Sequence, residues 1–132
     1  MAAQKISVHC VEIPDEPGSL HKLLESAASK GVDFQCFIAC GRCDGKGLVF
    51  VSGKDPEKCK ACAEEAGIEA KEMVGFVIEG EDKVGAAAEA LKGLADAGIN
   101  GAAGAAMVCE GQYHMCIIVE SSDADAAEEA LG

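Results

Sequence analysis

Cys40-x-x-Cys43 and Cys59-x-x-Cys62, with fifteen residues between the pairs, have the spacing at which four thiolates close around zinc. A second stretch invites different chemistry. Glu12-Ile13-Pro14-Asp15-Glu16-Pro17-Gly18-Ser19-Leu20 follows an alternating apolar run, Ile6 to Ile13. It leads into Leu20, Leu23, Leu24, Ala27 and Ala28, the spacing of one buried helical face. Backbone N–H groups in a first helical turn have no acceptor inside the helix and attract carboxylates. Pro17 suits that turn, where its missing donor costs nothing, and Gly18 lets a ligand approach the backbone. The same residues also make an ordinary turn, with Asp15 capping the helix. His9, His21 and His114 read as structural or solvated rather than catalytic.

The composition narrows the classes. A chain of 132 residues with 49% apolar residues is globular, long enough for one ordinary domain or two small ones. A formal charge of −12 disfavours nucleic acid and anionic membranes. No apolar run approaches a membrane span, and Met1 to Lys5 lacks the apolar core of a signal peptide, so the chain reads as soluble and cytoplasmic. In that compartment its eight cysteines are expected as free thiols unless a metal claims some.

The periodicities predict six elements and then a repeat. A strand over Ile6 to Ile13 is followed by a helix from Gly18 to Lys30, a strand from Phe34 to Cys40 and a hairpin through Gly41 to Gly47. A strand over Leu48 to Ser52, a helix capped by Asp55-Pro56 and ending at Gly67, and a strand over Ile68 to Val74 complete β-α-β-β-α-β. Shifted by 67 residues, Gly18 falls on Gly85, Leu24 on Leu91, and Gly31-Val32-Asp33 on Gly98-Ile99-Asn100. Pro17 becomes Val84 in the second copy, and the chain stops at Leu131-Gly132 without that copy's last strand. Gly75 to Glu79 would then be an open sheet edge for a neighbouring copy or a second chain to cover.

The strand ending in Asp-Glu-Pro-Gly-Ser-Leu, its helix and the following Lys30-Gly31-Val32-Asp33 resemble the ACT domain, a small ferredoxin-like module that binds amino acids and regulates metabolic enzymes. The resemblance implies two tandem α+β modules, residues 1–74 and 75–132. Each has an antiparallel sheet with helices on one face, and the second lacks its final strand. It implies a ligand at the interface between modules, held by Asp15, Pro17, Gly18, Ser19 and Leu20 on the loop side and Asp33 on the strand side. The equivalent positions in the second copy are Asp82, Gly85, Ala86 and Asn100. Free N–H groups at Gly18, Ser19 and Leu20 suit a ligand's carboxylate, while Asp15 and Asp33, where many members carry asparagine, favour its ammonium group.

The same fold separates the two cysteine pairs. Cys40 and Cys43 sit at the hairpin tip, and Leu48 to Ser52 carries the chain about 17 Å away at roughly 3.3 Å per residue. The helix recovers only about 1.5 Å per residue, too little to bring Cys59 and Cys62 to the roughly 2.3 Å that zinc requires. Cys59 and Cys62 read as small core residues, whereas Cys36, Cys40 and Cys43 remain candidates for a redox or metal pair shared between chains. No catalytic constellation and no cofactor are expected. The apolar residues on both sheet faces predict a homodimer. The expected function is a non-catalytic amino-acid sensor. The alternatives are a regulatory subunit acting mainly through a partner enzyme and a cysteine-based metal or thiol protein.

Overall fold

The computed structural model describes residues 3–132. In chain order they form β1 (Ala3–Pro14), α1 (Ser19–Ser29), β2 (Phe34–Gly41), β3 (Lys46–Gly53), α2 (Pro56–Glu65) and β4 (Lys71–Glu81). These are followed by α3 (Ala86–Asp96), β5 (Ala103–Cys109), β6 (Gln112–Glu120), a 3₁₀ turn (Ser121–Asp123) and α4 (Ala124–Leu131). The class is α+β, with antiparallel pairing, and the chain divides into two compact units.

The first unit spans Ser7–Glu72. Its strands lie in the order β2, β3, β1, with Val11 opposite Val49 and His9 opposite Val51. Residues opposite each other point to the same side, and here that side carries the helices: Val11, Val49 and Val51 are buried with Ala27 of α1 and Cys59 of α2. Asp55 caps α2 as expected, its carboxylate accepting from the Lys58 N–H at 3.3 Å with Pro56 at the first helical position. One strand departs from simple alternation. The register slips between Phe34 and Cys36, so Phe34 packs into the helix-side core while Cys36 and Cys40, opposite Ser52 and Leu48, take the other face.

The second unit spans Met73–Gly132 and also claims the chain up to Ile6. Phe76, Ile78, Met115, Ile117 and Val119 bury one sheet face against Ala86, Ala90 and Leu94 of α3 and Ala127 of α4. Its strands run β4, β6, β5. Beyond β4 comes the N-terminal end of β1: Ala3 packs on this core, and Lys5 meets Glu128 of α4 at 3.1 Å. The edge expected over Gly75 to Glu79 is thus covered in one of the two expected ways, by the neighbouring copy. Ala3–Ile6 occupies the place beside β4.

Two strands are longer than the apolar pattern predicts. β1 begins three residues before the apolar alternation, and β4 runs from Lys71 to Glu81. Ile68 is not yet strand, because its N–H closes the end of α2 on the Ala63 carbonyl at 2.9 Å.

The helices of the second unit meet closely. A Cβ placed on Gly93 of α3 would lie 2.4 Å from the carbonyl oxygen of Ala130 in α4. Gly93→Ala must therefore push α4 away, and we expect a loss of about 1–3 kcal/mol in urea unfolding. The exposed Ser26, its counterpart in α1, changes to alanine within about 0.5 kcal/mol.

Candidate functional site

Both copies leave their first strand through the same local geometry. After β1, the Asp15 N–H donates to the Gly45 carbonyl at 3.0 Å, and the Ser19 N–H turns back to Glu16 at 3.2 Å. After β4, Asp82 donates to Gly111 at 3.1 Å and Ala86 to Lys83 at 3.1 Å. The residue before each helix is glycine in the left-handed region, Gly18 at φ 88 and Gly85 at φ 84. An L side chain is strained at that φ, so glycine is required. A Cβ on either would meet nothing within 4 Å, which leaves the space in front of the backbone open.

The free donors follow from these bonds. The next backbone bonds run from Lys22 to Gly18 and from Glu89 to Gly85, both at 2.9 Å. Among the described residues, Gly18, Leu20 and His21 of the first turn therefore keep N–H groups without a backbone acceptor. So do Gly85, Ala87 and Ala88 of the second. This corrects one expected donor, since the Ser19 N–H is already engaged. Asp15 does not cap α1 either, because neither α1 nor α3 has a side-chain cap. Its carboxylate reaches sideways instead, to within 2.8 Å of where a Cβ on Gly41 would stand.

The turns border clefts of different size. Asp15, Ser19 and Leu20 line the first, of about 170 Å³, together with the ends of β2 and β3. Pro17 and Gly18 frame it without lining it. Asp82, Gly85 and Ala86 line the second, of about 380 Å³, which Met107 and Tyr113 wall on the far side. Tyr113 lies flat on β4: a Cβ on Gly80 would be 2.6 Å from its ring. Sequence reasoning missed this residue, although Gly80 near the end of β4, between Glu79 and Glu81, is a strand glycine of the kind that marks a close approach.

The strand-side residues stand elsewhere in their units. Asp33 precedes β2, whose eight residues separate it from Gly41 and the first turn by about 26 Å. It pairs with Lys54 at 2.8 Å, both side chains being mostly exposed. Asn100 is exposed ahead of β5.

The cysteines spread over several environments. All eight are free. Among the described residues no three of the His, Cys, Asp and Glu side chains gather as metal ligands. Cys59 is buried against Gly53, and desolvation, followed by the neighbouring Cys62, pushes its thiol above the ordinary range. Cys40, Cys43 and Cys109 are exposed.

No protein-family model and no curated protein matches the sequence. Solved structures do match. A protein of Bacteroides thetaiotaomicron superposes with a TM-score of 0.78 at 17% identity, over 98% of this chain and 88% of that one. The ligand-free regulatory subunit of aspartate kinase from Thermus thermophilus gives 0.68 at 20% identity, over 98% and 93%. The corresponding subunit from Thermus flavus gives 0.61 at 23%, over 98% and 91%. The chain has the tandem ACT fold. Within that fold the paired glycine-capped helix starts are the repeated polar feature. No helix among the described residues is long and apolar enough to cross a membrane.

Only thiolates alkylate, so the raised pKa and burial of Cys59 should protect it. Mass spectrometry after brief iodoacetamide treatment at mildly alkaline pH should find Cys40, Cys43 and Cys109 modified first and Cys59 last. Raising the pH further should narrow the gap.

Proposed function

We propose that this chain is a non-catalytic regulatory protein that binds a small amino acid at its glycine-capped turns and passes the bound state to a metabolic enzyme. One observation carries the reading. Each helix start presents three N–H groups without backbone acceptors, and an aspartate, Asp15 or Asp82, lines the cleft beside each. An α-amino acid needs both partners, donors for its carboxylate and an acceptor for its ammonium group. The strand-side residue Asp33 is about 26 Å from the turn of its own copy and Asn100 stands ahead of β5, so they act on a ligand held by a neighbouring copy. The regulatory output is supported by the fold shared with regulatory subunits of aspartate kinase.

The protein acts as a homodimer packed through the sheet face opposite the helices. Cys36, Ile38 and Leu48 lie half-buried on that face in the first unit, and Met107, on the same face of the second, is 70% exposed. Apolar residues that a unit's own helices leave uncovered are what a second copy would cover.

Two measurements check this reading. A thermal-shift screen of the twenty amino acids should give a selective rise, because a ligand at 100 times its dissociation constant stabilises the folded state by about 2.7 kcal/mol. Gly18→Val should remove the first turn's share of that rise, and Gly85→Val the second's. No rise with any amino acid would overturn the ligand. Sedimentation at micromolar concentration should show a dimer, and a monomer alone would overturn the assembly.

A further inference from the structure

The two units treat the space between their helices differently. Under the 67-residue shift, Gly93 and Ala130 correspond to Ser26 and Ala63. Gly93 and Ala130 are in backbone contact and close the gap between α3 and α4. Ser26 and Ala63 instead line an open cavity of about 520 Å³ between α1 and α2. That volume is in the range of small-molecule sites.

The lining is apolar below and polar at one rim. Leu23, Val32, Phe34, Val51, Cys59 and Ile68 form much of the interior. Burial and the neighbouring Cys62 keep Cys59 a neutral thiol, so this wall carries no charge. Along α1, Ser19, Lys22 and Ser26 follow one another at i, i+3 and i+7 and so border the cavity from one helical stripe. Lys22 is the one cation in the lining, and among the described residues its ammonium has no ion-pair partner. Of the two carboxylates at the rim, Glu12 is already paired with Arg42 at 3.1 Å. Glu16 stands in the turn before α1, and no ion pair joins it to Lys22 among the described residues.

We propose that this cavity is a second binding site, reaching between α1 and α2 from a rim it shares with the first turn's cleft at Ile13, Pro14, Glu16 and Ser19, for a small molecule with an apolar body and a terminal carboxylate. The body replaces the helix contact that α3 and α4 make in the other unit, and excludes water from Leu23, Val32 and Ile68. The carboxylate stays at the rim, where the Lys22 ammonium and the Ser19 and Ser26 hydroxyls donate to it. A peptide helix does not suit the space, because sheet residues close its floor.

The test uses the full chain, decanoate and its neutral analogue 1-decanol, read by methyl and amide NMR. Decanoate at millimolar concentration should shift the methyl signals of Leu23, Val32 and Ile68. Lys22→Ala should weaken decanoate about fivefold, the scale of one partly exposed ion pair, and leave 1-decanol unchanged. Ser26→Leu and, separately, Ala63→Leu should fill the cavity and abolish both ligands, each variant being used only if its amide spectrum is native-like. Neither filling change should alter an amino-acid response at the turns, so this proposal and the proposed function fail separately. Absence of methyl shifts, or filled variants that bind like the parent, would overturn the site. A Lys22→Ala change with no effect on decanoate would overturn the carboxylate.

Discussion

A strand with an unpaired edge exposes a row of backbone donors and acceptors, and the arrangement of this chain follows from covering one such edge on β4. Among the described residues, β6 covers one side of β4 and no other strand of the second copy lies on the opposite side. Ala3–Ile6 supplies one from the other end of the chain, held by Ala3 in the core and by Lys5 on Glu128. β1 and β4 are consequently long, 12 and 11 residues, and each continues past the boundary of a compact unit. Both turns then leave the end of a long, well-paired strand, which fixes where Gly18 and Gly85 stand. A site built at the end of a rigid strand holds its donors better than one on a free loop.

The repeat conserves backbone and lets side chains diverge. Gly18 and Gly85 differ by only a few degrees in φ, and the same pattern of donors stays free in each turn. Around that constant frame, Pro17 gives way to a fully exposed Val84. In the second cleft Lys83 pairs with Glu89 at 3.3 Å and Tyr113 walls the far side. The two turns thus offer the same hydrogen bonds to a ligand's carboxylate and different walls to its side chain. Helix packing diverges too, since one glycine, Gly93, decides whether two backbones touch.

Much of this was legible in the residues. Apolar spacing in Leu20, Leu23 and Ala27 gave the buried face of α1, and Asp55-Pro56 gave the start of α2, because helical period decides the first and local capping chemistry the second. The long ends of β1 and β4 were not legible. Ala3-Gln4-Lys5 has no alternation, and its pairing depends on an edge formed some seventy residues later. Asp15 before a helix reads as a cap, yet the left-handed Gly18 ends the turn differently and sends that carboxylate toward Gly41. Phe34 and Cys36 read as neighbours on one face until a bulge separates them. The cavity was hidden because periodicity shows which face of a helix turns inward, and not how closely two helices approach. Only the exchange of Gly93 for Ser26 between the copies carried a hint.

The most direct test of the central claim is an amide NMR titration of the full chain with the amino acid that stabilises it. The account predicts that the N–H signals of Gly18, Leu20 and His21, or of Gly85, Ala87 and Ala88, move downfield as the carboxylate takes their free donors. The engaged N–H groups of Ser19 and Ala86 should move far less. Saturable binding that leaves all six free amides unmoved would contradict it, and would place the ligand away from the glycine-capped helix starts.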